Sequence, residues 1–126
     1  MPAPCDETPL IDISLADELF FPHGNETSDA LQWEIWSDLT SRLLPDLQAI
    51  ITGGHEADAL KSELHRIRGY CSTCALIRLA AFLYEWEYLP DPVGAIKSYA
   101  PEAIALARRS MLEIEIAYPQ LKPPAS

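Results

Sequence analysis

The sequence of 126 residues is poor in long apolar runs and in cations, and each shortage excludes a class of protein. No stretch approaches the roughly 18–20 apolar residues that a membrane-spanning helix needs, so we expect no membrane association. The first 21 residues contain no basic segment followed by an apolar core, so we expect no secretory signal and a cytoplasmic protein. The net charge of −10 argues against nucleic-acid binding, which requires clustered lysine and arginine.

Cysteine is also scarce, because the chain has only three, and an odd number without a secretory signal predicts free thiols. Cys71 and Cys74 have the C-x-x-C spacing of a redox or zinc motif. A closed zinc site needs four ligands, however, and a thioredoxin-like motif needs a βαβ context that the sequence lacks. We therefore predict that both thiols pack as small hydrophobic side chains and that no metal site is present.

Helical periodicity dominates what is present, and no alternating strand pattern exceeds four residues. The pattern predicts helices over 15–21, 28–52, 56–73 and 76–88, and a final helix with Pro101 in its first turn. Residues 93–99 stay open between a short helix and irregular chain, and Pro45 should kink or split the second helix. Short connections favour antiparallel neighbours. The predicted fold is an all-α, antiparallel up-down-up-down four-helix bundle over 14–118 with a short N-terminal cap helix, an irregular arm over 1–13 and a disordered proline-rich tail over 119–126.

The helix over 56–73 has two faces of different character. Its apolar stripe should look into the core and comprises Leu60, Leu64, Ile67, Cys71 and Cys74. One residue later, the same spacing gives a wetter face of Lys61, His65, Arg68 and Ser72. Gly69 lies one turn beyond the histidine, although a glycine inside a helix costs about 0.5–1 kcal/mol relative to alanine. From residue 61 to 78 there are four cations and one anion, an excess that suits an anionic group or an acidic partner.

The segment from His65 to Glu87 resembles the histidine-containing phosphotransfer (HPt) domain family. The resemblance rests on a histidine, a basic residue three positions later, a glycine at the fourth, small residues, a break, and a helix that closes at Glu85-Trp86-Glu87. It covers roughly residues 10–118. The sequence departs from the family pattern at three positions: Arg68 replaces the usual lysine, Tyr70 replaces a small residue, and Ala75 replaces a common glycine.

The resemblance implies that His65 accepts a phosphoryl group and carries it between receiver-domain aspartates. It implies that Arg68 contacts the phosphate, that Lys61 and Arg66 support it, and that Gly69 gives a partner room to approach. Ser72 lies on the same face and completes the implied partner surface. The implied partners are a response-regulator receiver domain, a hybrid sensor histidine kinase, or both, and the receiver brings the Mg²⁺, so the chain needs no cofactor of its own.

Two functions remain open from the sequence. The absence of a nucleotide-binding glycine loop favours a phosphocarrier over a kinase that phosphorylates itself. The alternative is a helical-bundle interaction module that binds a receiver or a kinase without carrying phosphate.

Overall fold

The computed structural model describes residues 9–20, 29–54, 56–119 and 121, and all regular secondary structure in these ranges is helical. The helices are α1 (Ile13–Phe20), α2 (Asp29–Thr52), α3 (Ala57–Thr73), α4 (Ile77–Glu87) and α5 (Ile96–Ala117). The predicted all-α class is therefore confirmed. Cys5, His23, His55 and most of the predicted arm and tail lie outside the described residues. Within the described ranges, no helix combines the length and apolar character required to cross a membrane.

The four long helices share one apolar core. The main contacts between these helices join α3 to α4, α4 to α5, α5 to α2, and α2 to α3. Four of the five residues of the predicted α3 stripe are completely buried, and Cys74 at its end is half-buried. Because this stripe fixes the rotation of α3 about its axis, the opposite side chains of α3 face water. The other large side chains at the centre of the core are Trp36, Leu43, Leu47, Ile50, Leu76, Leu79, Phe82 and Trp86.

Helix α1 is fastened to the rest of the molecule through the backbone amide of Asp12 and the side chain of Asp17. The residue type of Ser14 predicts a cap there, but the cap of α1 is Asp12, whose Oδ1 accepts a hydrogen bond from the Leu15 amide at 3.1 Å. The Asp12 amide also donates to the carbonyl of Ala75 at 2.9 Å. At the other side of α1, the hydroxyl of Tyr118 donates to Asp17 Oδ1 at 2.6 Å.

Two prolines lie inside helices where the sequence predicted a break or a start. Helix α2 continues through Pro45, so of the two predicted outcomes, a kink or a split, the split does not occur. Helix α5 begins at Ile96, so Pro101 lies inside it rather than in its first turn. Both prolines are exposed, so water can reach the carbonyl groups that lose their helical partner. The start of α5 is stabilised instead by buried Tyr99, whose ring packs edge-on against that of Phe82 at 6.4 Å.

The turn between α3 and α4 places an alanine where glycine is favoured. Ala75 has a φ of +71°, in the left-handed region that a Cβ atom disfavours. Its amide donates to Ser72, and the next amide, that of Leu76, donates to Cys71 at 2.9 Å, which closes the end of α3. The backbone of this turn thus explains why glycine suits the position.

Candidate functional site

His65 projects from the wet face of α3. Leu64, directly before the histidine, and Ile67, two residues after it, are completely buried, so the His65 side chain points away from the core. Its side chain is 64% exposed. The Nδ1 atom faces the protein, whereas Nε2 forms no hydrogen bond with any residue that the structure describes. A ring held by one nitrogen and open at the other is the arrangement that a nucleophilic or proton-carrying histidine needs.

The protein side of the ring is occupied by Glu87, the last residue of α4. Its Oε1 lies 3.1 Å from His65 Nδ1, and its side chain is only 10% exposed. The sequence indicated Glu87 only as the end of a motif and not as a member of the site. A signal was present, because Glu87 follows Leu83 by four residues and so continues the inward stripe of α4. A carboxylate at an inward position requires a partner, and the partners here are His65 and Arg68.

Arg68 lies between the histidine and the glutamate. Its Nε donates to Glu87 Oε2 at 3.2 Å, and its Nη2 lies 2.7 Å from His65 Nδ1. The guanidinium also stacks over the ring of Tyr84, with Cζ 5.0 Å from the ring centroid. The predicted neighbour of His65 is therefore beside the ring, and two residues of α4 hold it there.

The two contacts at Nδ1 require opposite positions of the imidazole proton. A carboxylate only accepts, so the contact with Glu87 needs a proton on Nδ1, which leaves the lone pair on Nε2. A guanidinium only donates, so the contact with Arg68 needs a bare Nδ1, which moves the proton to Nε2. The ring can satisfy one of them at a time. Its nucleophilic atom therefore depends on which neighbour it pairs with.

A shallow depression lies beside the ring. It has a volume of about 280 Å³ and is lined by Lys61, Ser62, His65 and Glu87. Lys61 comes from the turn of α3 before the histidine, as the helical spacing predicted. Lys61 lines this depression and Arg68 lies beside the ring, and both cations favour an anion bound there.

The remaining predicted site residues do not all face the histidine. Gly69 is exposed, and a Cβ added to it would meet nothing within 4 Å. Arg66 points away from the ring instead, and it donates to Glu63 of α3 at 2.7 Å and to Asp46 of α2 at 3.3 Å. These hydrogen bonds raise the pKa of Arg66 above its ordinary value, and the bond to Glu63 has the larger effect. Ser72 is exposed, and within the described residues no hydrogen bond joins its side chain to the histidine.

Tyr70 helps to hold α3 against α2. Its hydroxyl donates to Asp46 Oδ2 at 3.0 Å, and Arg42 lies over its ring. Burial, together with this hydrogen bond, raises the pKa of the Tyr70 hydroxyl well above its ordinary value. The tyrosine at this position therefore has a structural partner on the neighbouring helix.

The two cysteines near the site are both free thiols, Cys71 buried and Cys74 half-buried. Burial raises the pKa of both thiols, which keeps them protonated and unreactive. In the described part of the chain, no three histidine, cysteine or acidic side chains converge on a point that could hold a metal ion.

Comparisons of the chain with protein families, with curated proteins and with solved structures find no match.

Proposed function

We propose that the chain is a phosphocarrier of a two-component phosphorelay, with His65 as the phosphoacceptor. The proposal includes the fold of the HPt family, an antiparallel four-helix bundle of α2 to α5 with α1 as a cap. One observation carries it: an exposed imidazole has Nδ1 against the buried carboxylate of Glu87, Nε2 in water and a guanidinium alongside. When the ring pairs with Glu87, a nucleophilic lone pair on Nε2 points toward solvent, and the guanidinium supplies charge for the anion that it would accept.

In the proposed transfer, the Nε2 lone pair of His65 attacks the phosphorus of a receiver aspartyl phosphate. The bond between phosphorus and the carboxylate oxygen breaks, and the aspartate leaves with that electron pair. The ring, now bonded to phosphorus at Nε2 and to hydrogen at Nδ1, becomes cationic, and the Glu87 carboxylate stabilises it. In the reverse step, a receiver aspartate attacks the phosphorus and the electron pair returns to Nε2. Such a reaction depends mainly on position and charge.

Arg68 has two roles in this scheme. When its Nη2 leaves Nδ1, the ring can donate to Glu87 and Nε2 becomes the nucleophile. The contact between Arg68 Nε and Glu87 Oε2 keeps the guanidinium tethered, so that its free end can bind the phosphoryl oxygens. Lys61, which lines the depression, adds a second positive charge.

The proposed partner is a receiver domain, which docks over the face that holds His65. Gly69 leaves the backbone of α3 bare one turn beyond the ring, so an approaching loop meets no side chain there. On α4, Tyr84 and Tyr88 are 49% and 64% exposed, and their rings lie 4.8 Å apart. Exposed aromatic side chains at the rim of a site are typical anchors for a protein partner.

The test is phosphorylation of the purified chain by a small phosphodonor and by a phosphorylated receiver. We expect an acid-labile phosphate that is absent from His65→Gln. Arg66→Gln is the matched control for Arg68→Gln, because both remove a cation of α3 but only Arg68 touches the ring. We expect Arg68→Gln to slow transfer at least about tenfold, in keeping with loss of a charged phosphate contact, and Arg66→Gln to leave it within about twofold.

Two results would contradict the proposal. One is a phosphate that persists in His65→Gln. The other is a chain that binds receivers equally well with and without His65 and gains no phosphate, which would make it an interaction module.

A further inference from the structure

The outer face of α5 carries an apolar stripe that no other described element covers. Leu112 and Ile116 are 56% and 63% exposed, which is unusual for large aliphatic side chains one turn apart. Toward the start of the helix, the same spacing passes through exposed Arg108 and then through smaller exposed residues, Ser98, Pro101 and Ala105. One half of the stripe therefore projects and the other half is recessed.

The recessed half borders a groove between α2 and α5. The groove has a volume of about 750 Å³, and its apolar lining includes Ile51, Ile96, Pro101 and Ile104. A volume of this size accommodates several aliphatic side chains. The projecting and recessed halves lie on the same helix, so a copy of α5 that runs in the opposite direction brings each half against its complement.

Charges of alternating sign follow the same face. Lys97, Glu102, Arg109 and Glu115 are all exposed, and none of them forms an ion pair with another residue in the described ranges. The order of these four along α5 is positive, negative, positive, negative, and exposed Arg108 and Glu113 lie among them. In an antiparallel copy the order is reversed, so each of the four faces an opposite charge.

We propose that this face of α5 binds a second copy of the chain as an antiparallel, two-fold symmetric pair of helices. The symmetry axis passes near Leu106. Lys97 then faces Glu115 of the second copy, and Glu102 faces Arg109. The same register brings Leu112 over Pro101 and the groove of the second copy. In this register the same two pairs occur twice, once on each side of the axis, as an isologous interface requires.

This inference does not rest on the proposed phosphocarrier function. Helix α5 packs on α2 and α4, and its exposed stripe lies away from the α3 face that holds His65. The dimer leaves both histidines accessible, so failure of either proposal would leave the other standing.

The test is sedimentation velocity of the whole chain over a range of concentrations. We expect a reversible equilibrium between monomer and dimer, because one pair of helices gives an interface at the small end of the range for stable complexes. Leu112→Glu should abolish the dimer. Ile13→Glu is the matched control, since Ile13 is similarly exposed, at 52%, but lies on α1; it should leave the dimer intact.

Charge reversal gives a sharper second test. Lys97→Glu should weaken dimerisation at least about tenfold, because the two-fold axis repeats each lost pair and creates a repulsion. Adding Glu115→Lys to the same chain should restore it. Circular dichroism of each variant checks that the helices persist.

Three results would overturn the proposal. The first is a wild-type chain that stays monomeric at all concentrations. The second is a dimer that survives Leu112→Glu or that the charge swap does not restore. The third is a purified monomer that carries an amphiphilic small molecule by native mass spectrometry, which would make the groove a ligand site.

Discussion

At the scale of single residues, the site depends on where His65 keeps its proton. Glu87 and Arg68 both approach Nδ1, at 3.1 and 2.7 Å, and they require different tautomers. Glu87 is the member of this trio that favours a nucleophilic Nε2. It is also the one that the sequence of α3 could not reveal, because it comes from another helix and completes the site only through folding.

The exposure of His65 leads to a prediction about stability. His65→Gln should change the free energy of unfolding by less than about 0.5 kcal/mol, as expected for an exposed side chain. Leu64→Ala, at the adjacent and completely buried position, should cost about 2–5 kcal/mol. Urea unfolding measures both. A loss of several kcal/mol in His65→Gln would mean that the ring is a core residue and not a carrier.

Gly69 allows stability and function to be separated. A Cβ at this position meets nothing within 4 Å, so Gly69→Ala should raise the free energy of unfolding by about 0.5–1 kcal/mol, the usual gain inside a helix. Gly69→Leu should keep the fold and slow phosphotransfer, because its side chain would occupy the approach of the receiver. Transfer at the wild-type rate in Gly69→Leu would show that the bare backbone is incidental.

At the scale of helices, periodic patterns predicted more than single residues did. The stripe of α3 predicted its boundaries and the outward direction of His65, because burial of Leu60, Leu64 and Ile67 leaves one orientation for the helix. The position of Arg66 was not predictable in this way. Its long side chain can reach several acidic residues, and nothing within α3 indicates that Asp46 of α2 lies near it.

The helix ends were predicted less well, for reasons that are also physical. Pro101 suits the first turn of a helix by local preference, but burial of Tyr99 and Ala100 extends α5 ahead of it. Ser14 and Asp12 are both acceptable caps by residue type. The tertiary hydrogen bond from the Asp12 amide to Ala75 selects between them.

The hydrogen bond from Tyr118 to Asp17, which fastens α1, predicts that the stability of the fold depends on pH in the alkaline range. Burial and the hydrogen bond to Asp17 raise the pKa of Tyr118 to about 12, above the ordinary value of 10.0. Because the folded state holds this proton more tightly, the resulting stabilisation is complete below pH 10 and is lost as the pH rises through about 12. The advantage of the wild type over Tyr118→Phe should therefore shrink across this interval.

Urea unfolding of both proteins at mildly and strongly alkaline pH tests this prediction. Tyr88→Phe is the control, since it removes the hydroxyl of a tyrosine that is 64% exposed. An advantage over Tyr118→Phe that stays constant from pH 8 to pH 12 would contradict the account of α1.

At the scale of the whole molecule, the charge distribution separates the two proposed surfaces. The chain carries −10 in total, yet His65 is flanked by Arg68 and Lys61, which suits an anionic phosphoryl group. The exposed face of α5 carries charges of both signs instead, and four of them can pair with those of an antiparallel copy. The sequence predicted the first pattern, because the cations cluster on one helix. It did not predict the second, because the pattern matters only once the exposed face of α5 is known.

The most direct test of the central claim is to locate the phosphoryl group on the ring. After reaction of the chain, labelled with ¹⁵N at histidine, with a phosphorylated receiver, NMR should show phosphorus coupled to Nε2 of His65 and a proton retained on Nδ1. In Glu87→Ala the same signal should build up more slowly, by about 10–100-fold, the usual cost of losing a carboxylate that orients a functional histidine. Phosphorus on Nδ1, on another residue, or nowhere on the chain would contradict the account.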